Sequence, residues 1–185
     1  MPTQKDRTLA ISVQPTLVWR PDGSIGATFG YVQTDSQPNM PNRVDPLTGN
    51  IRLNNMPSNA NYNDNVDITI TMDDSLSVDR NGNRVPLRFA TATEGNPPND
   101  VGFCWFIKNP PSNPPPGYQK DLTHIQIPGM ATSRLNDTQV LINDDTADGS
   151  LTYTFCMGMV IASAANNGYY ITIDPAIVGK GVGQK

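Results

Sequence analysis

The chain has 185 residues, of which 37% are hydrophobic, with 17 Pro, 15 Gly and a net charge of −4 at pH 7. That length suits one domain with a hydrophobic core, and the few, scattered Lys and Arg exclude a basic stripe that could neutralise a nucleic-acid backbone. No run approaches the roughly 20 apolar residues of a membrane span, and the N-terminal MPTQKDRTL lacks the apolar core of a signal peptide.

The first turn signal is Pro21-Asp22-Gly23, which fits a three-residue hairpin loop with Gly in the left-handed position and pairs Trp19 with Ile25. A long irregular segment follows, from about Gln33 to Asn65, rich in Asn, Pro and Ser. Structureless loops of that length are uncommon inside a domain, so the segment is expected to be functional, mobile or packed on a neighbouring subunit, and its low apolar content favours ordering by a neighbour. VDITITM (Val66 to Met72) alternates strictly, as a strand with one wet face does. Asn81-Gly82 suits a two-residue type I′ loop that sets Val78 opposite Val85 and Leu76 opposite Leu87.

VGFCWFI at 101–107 is apolar on both faces and reads as a central strand. It runs into NPPSNPPPGYQKD, a proline-rich loop at 109–121. LTHIQI (122–127) and TQVLI (138–142) are shorter strand candidates. LTYTFCMGMVI, starting at Leu151, places Leu151, Tyr153, Phe155, Met157, Met159 and Ile161 on one face. Asn166-Asn167-Gly168 then fits another three-residue loop and brings Ile161 opposite Ile173. No window has helical periodicity, and Glu94 is the only glutamate, whereas amphipathic helices use glutamate heavily.

These elements predict an all-β chain: residues 1–185 form a single domain, a two-sheet antiparallel β-sandwich, immunoglobulin-like or jelly-roll-like, of about 8–10 strands with little helix. Membership of the immunoglobulin family does not follow. Trp105 is adjacent to Cys104 and Tyr153 lies three residues before Cys156, whereas that family places the Trp on the next strand and the Tyr two before the second Cys. Two buried thiols are expected in preference to a Cys104–Cys156 disulfide.

Triad or histidine-based catalysis needs a His beside a nucleophile and an acid, and His124, within a strand pattern, is the only His. The Asp clusters Asp73-Asp74, Asp79 and NDDTADG (143–149) fall at turns, where Asp bonds its own backbone. No catalytic motif is present, so no enzymatic activity is expected. Asp144, Asp145 and Asp148 are the candidate metal ligands, with oxygen donors that suit calcium; no other cofactor is expected. Asn136-Asp137-Thr138 is a glycosylation sequon. Pro115, Pro116 and Tyr118 match the P-P-x-Y pattern of peptides that dock in aromatic grooves, and they are the candidate partner-binding residues. In a loop flanked by strands, Tyr118 is expected instead to pack back on the domain. The expected function is a non-enzymatic structural or assembly protein packing with copies of itself or within a larger particle. The alternative is a module that presents loops to a protein, glycan or calcium ion.

Overall fold

Alternation of buried and exposed side chains dictates the first layer. In β1 (Lys5–Trp19) every odd position from Arg7 to Leu17 is buried. In β4 (Tyr62–Met72) Val66, Ile68, Ile70 and Met72 are buried while Asp67, Thr69 and Thr71 face outward, as the pattern predicts. The computed structural model describes residues 3–98, 100–146, 151–162 and 169–178. It places β1 and β4 in a five-stranded sheet with β2 (Ile25–Gln37), β9 (Met130–Asn136) and β10 (Gln139–Asp144), in the order β2-β1-β4-β10-β9.

The second layer is built around β11 (Thr152–Ile161). On one side it pairs with β12 (Tyr169–Ile173) and β13 (Ala176–Val178), and on the other with β5 (Leu87–Phe89) and β8 (Cys104–Ile107). β3 (Ile51–Arg52) adds to β13, and β6 (Gly95–Asn96) with β7 (Asp100–Val101) forms a separate two-stranded ribbon. The architecture is an all-β sandwich, and the only helical turn among the described residues is a 3-10 turn at Asp74–Leu76.

The sheets are mixed, not purely antiparallel. The hairpin makes β2 antiparallel to β1, but residues 38–61 carry the chain across to β3 and back to the far side of β1, so β4 runs parallel to β1. The inner faces meet in one core: Leu9, Ile11, Ile68 and Ile142 from the first sheet against Phe89, Phe106, Phe155 and Met157 from the second. β11 is buried on both faces, because Cys156 joins Trp105 and Ile107 in a smaller cluster on the outer side of the second sheet. Segment 122–127, expected as a strand, covers that side instead. It makes a single bridge, Phe106 to Ile125, and Leu122 accepts the Trp105 indole N–H at 3.0 Å.

Segment 33–65 is ordered by its own domain, contrary to the expectation that a neighbour would be needed. Met40, Ile51, Leu53 and Met56 from this stretch are buried in the main core. Two arginines hold its backbone. Arg7, 1% exposed, donates to Asn63 O at 2.8 Å and Pro57 O at 3.0 Å, and Arg43 donates to Asn54 O at 2.8 Å. Four sparse apolar side chains and two guanidiniums thus do what a continuous apolar run does elsewhere.

The first hairpin has the expected register, Trp19 opposite Ile25, with Gly23 at φ 87°. The second is shifted by one residue. Val78 faces Arg84, not Val85, and the loop is three residues, closed by Asp79 N–H to Asn83 O at 2.8 Å with Gly82 at φ 83°. The Asp79 carboxylate accepts the N–H groups of Asn81 and Asn83, so Asn81 never takes the left-handed conformation a type I′ turn requires. Leu76 lies exposed in the 3-10 turn and does not face Leu87. The Asn166 to Gly168 loop lies outside the described residues, but the strands flanking it pair Ile161 with Tyr169 and Met157 with Ile173. The shift from the expected Ile161–Ile173 pair is even, so the same side chains still face the core.

Candidate assembly edge

The edges of the two sheets differ in how they are closed. β9, at one end of the first sheet, lies against the second sheet: the Thr132 hydroxyl donates to Cys104 O at 3.0 Å and Arg134 reaches Phe89 O at 3.2 Å. β2, at the other end, is hydrogen-bonded to β1 along one side, from Thr8 paired with Gln37 to Trp19 paired with Ile25.

The ladder fixes which β2 groups point away from β1. The closing bond of the hairpin, Arg20 N–H to Ser24 O at 2.9 Å, makes the even residues Gly26, Thr28 and Gly30 bond to β1. The odd residues 25, 27, 29 and 31 therefore present their N–H and C=O to the open side. Two of them are clamped: Ile25 N–H meets the Tyr169 hydroxyl at 3.4 Å, and Tyr31 N–H donates to Pro46 O at 3.0 Å. Between the clamps lies a short window where, among the described residues, nothing bonds the outward backbone groups of Ala27 and Phe29.

The strand's own sequence is unlike that of a protected edge, although the Arg20 guanidinium lies over Gly26. IGATFGYVQT, residues 25–34, has no charge and no proline. Monomeric β proteins use Lys, Pro or inward-pointing charges to keep such edges from pairing. Val18, Val32, Leu47 and Tyr169, four of the nine large hydrophobic side chains exposed among the described residues, flank β2. Leu47 is 83% exposed at the tip of a turn held by Asp45, whose carboxylate accepts the N–H groups of Leu47 and Thr48. Beneath the edge runs a groove of about 290 Å³ lined by Phe29, Tyr31, Leu47, Ile173 and Pro175 together with the polar Thr48, Thr172 and Asp174. Gly49, at φ 71°, has to lack a side chain here, because a Cβ would lie 2.5 Å from the Tyr31 ring.

The residues singled out by the sequence lie elsewhere. Asp144 is buried at the end of β10, accepting from Thr146 N–H at 3.1 Å and its hydroxyl at 2.6 Å. Asp145 is exposed, and Asp148 lies outside the described residues. Among the described residues no group of three His, Cys, Asp or Glu converges on a point that could hold a metal ion. Asp79 is occupied by its own hairpin, and hydrogen bonds from Asn83 hold its carboxyl below the usual carboxylate range.

Pro115 to Tyr118 form a β-turn, closed by Tyr118 N–H to Pro115 O at 3.0 Å with Gly117 at φ 79°. Pro115 and Pro116 are exposed, and so is Tyr118, at 39%. The loop is anchored at its ends: Asn109 bonds Thr152 and Thr154 of β11, and Lys120 pairs with Asp174.

His124 stacks on Trp105, ring centroids 4.9 Å apart, at the exposed side of the outer cluster. Cys104 and Cys156 are both free and buried. Cys104 pairs with Met157 and Cys156 with Trp105, so the thiols belong to opposite faces of the sheet, one in the main core and one in the outer cluster. Burial pushes the Cys104 thiol up and the Cys156 thiol up to about 12. Glu94 is gripped by Arg88 through two bonds of 2.6 Å, which takes its carboxyl down to about 2. The Asn136 side chain of the sequon caps its own turn, accepting from Thr138 N–H at 2.9 Å. The β2 window was not singled out from the sequence, although a signal for it was present: an uncharged, proline-free run directly after a strong hairpin turn. No family model, curated protein or solved structure matches the chain.

Proposed function

We propose that the protein is a non-enzymatic structural subunit that associates with copies of itself or within a larger particle, and that β2 is the edge through which it does so. The observation that carries this reading is an edge strand whose exposed backbone groups, at Ala27 and Phe29, lie in a run with no charge and no proline. Such groups gain little from water that a neighbouring strand does not return, and the apolar side chains around them add burial. The polar chemistry elsewhere supports a structural role. Glu94 serves as an anchor for Arg88, His124 as a lid on Trp105, and both thiols as core side chains.

Mass photometry and light scattering of the purified chain test this. A defined oligomer is expected, and Thr28→Lys, which places a charge on an exposed edge position, should return it to monomer with the thermal stability of the parent diluted to monomer. A parent chain that remains monomeric at high micromolar concentration would sink the proposal.

A further inference from the structure

We infer that the strand completing this edge is β2 of a second copy, antiparallel to the first about a two-fold axis at Thr28. The inference rests on the assembly reading above and adds the partner and the register.

The window is self-complementary in sequence and in hydrogen bonding. Gly26-Ala27-Thr28-Phe29-Gly30 has a glycine at each end. Turned about Thr28, it sets Gly26 against Gly30, Ala27 against Phe29 and Thr28 against Thr28 of the second copy. Ala27 and Phe29 are the residues whose N–H and C=O point outward, so this register pairs every free backbone group in the window with its complement. A one-residue slip would bring the free groups against residues already bonded to β1. Each Phe29 ring then meets an alanine, a large side chain against a small one, which two facing aromatic rings would not allow as easily.

The ends of the strand agree with the same symmetry. Both clamps stop the pairing, since Ile25 N–H is taken by Tyr169 and Tyr31 N–H by Pro46. A parallel arrangement would set like clamps side by side; the two-fold sets the Ile25 end of each copy against the Tyr31 end of the other. That brings exposed Leu47 of one copy toward Trp19 and Ile25 of the other, and both of these side chains are only partly buried. An isologous contact of this kind closes on itself and yields a dimer; larger particles would need a second surface.

The decisive position is Thr28. Across the axis it forms a non-hydrogen-bonded antiparallel pair, with Cα atoms about 4.5 Å apart, within the range of a disulfide. Thr28→Cys in the full chain should form a disulfide-linked dimer under mild oxidation, while Thr34→Cys, exposed on the same strand but outside the window, should not. The native thiols do not confuse the readout, being buried on opposite faces of a sheet. A charge exchange gives the same answer without a thiol. Thr28→Lys alone and Thr28→Glu alone should both fail to dimerise, and a mixture of the two should pair about tenfold more tightly than either does alone. If the parent associates but Thr28→Cys does not cross-link and the mixture does not pair, the register is wrong and the assembly reading stands. If the parent is a monomer, both fall.

Discussion

Arg7 shows how one residue can organise a long segment. It occupies an inward position of β1, in line with Leu9, Ile11 and Val13, where an unpaired cation would be costly. Its guanidinium is satisfied by backbone carbonyls of Pro57 and Asn63 and by Asp64 at 3.6 Å. Arg7→Met is therefore expected to leave those carbonyls unsatisfied and to lower unfolding free energy by about 2–4 kcal/mol, measured by urea denaturation. The partners of Arg7 lie about fifty residues away, and no local pattern encodes them. Glu94 adds a pH dependence. Its ordinary value of 4.5 is lowered to about 2 by the Arg88 hydrogen bonds, so the folded state favours the charged form. The stabilisation is present above about pH 4.5 and is lost as pH falls through about 2. The pair is partly exposed, which limits it to about 1–2 kcal/mol. Glu94→Gln should lose that amount at pH 7, and the gap to the parent should close near pH 2; an equal gap at both would rule out this account.

At the scale of elements, both hairpin loops have an Asp carboxylate bonded to their own chain, and the two differ in whether the sequence names the loop length. Pro21-Asp22-Gly23 has the expected register, because Pro restricts φ and Gly permits the positive φ that the three-residue loop requires. The Asn81-Gly82 loop was shifted by one residue because the Asp79 carboxylate binds the loop's N–H groups and selects the three-residue form. Segment 122–127 alternates like a strand, yet it bridges β8 at one residue only and its role is to cover Trp105. Two glycines separate strain from crowding. Gly82→Ala meets nothing within 4 Å and should cost only the left-handed backbone penalty, about 1 kcal/mol. At Gly158, in the middle of β11, a Cβ would lie 2.1 Å from Gly102 O, so Gly158→Ala must displace backbone and should lower the melting temperature far more than Gly82→Ala does. Tyr118→Ala belongs with the mild changes. Its side chain is exposed on an anchored turn, and stability should move by no more than about 0.5 kcal/mol in the same denaturation assay.

At the scale of the molecule, the all-β sandwich follows from alternation summed over β1, β4, β10 and β11, whereas strand order does not, because the crossover through β3 depends on where a segment poor in apolar residues finds its partners. The edge was hidden for the same reason: a run of uncharged residues says nothing until topology shows that, among the described strands, β2 pairs on one side only. The consequence can be measured without mutation. Amides of the even residues Gly26, Thr28 and Gly30 are bonded within the ladder, and those of Ile25 and Tyr31 are held by Tyr169 and Pro46, so all five should resist hydrogen exchange at any protein concentration. Ala27 and Phe29 are different: with no acceptor among the described residues they should exchange quickly in dilute solution. As concentration rises and a second strand supplies acceptors, protection should appear at these two amides and at no other position of β2. Residue-resolved exchange that stays fast at Ala27 and Phe29 while scattering reports an oligomer would place the contact on a different surface and leave β2 as an edge kept open to solvent.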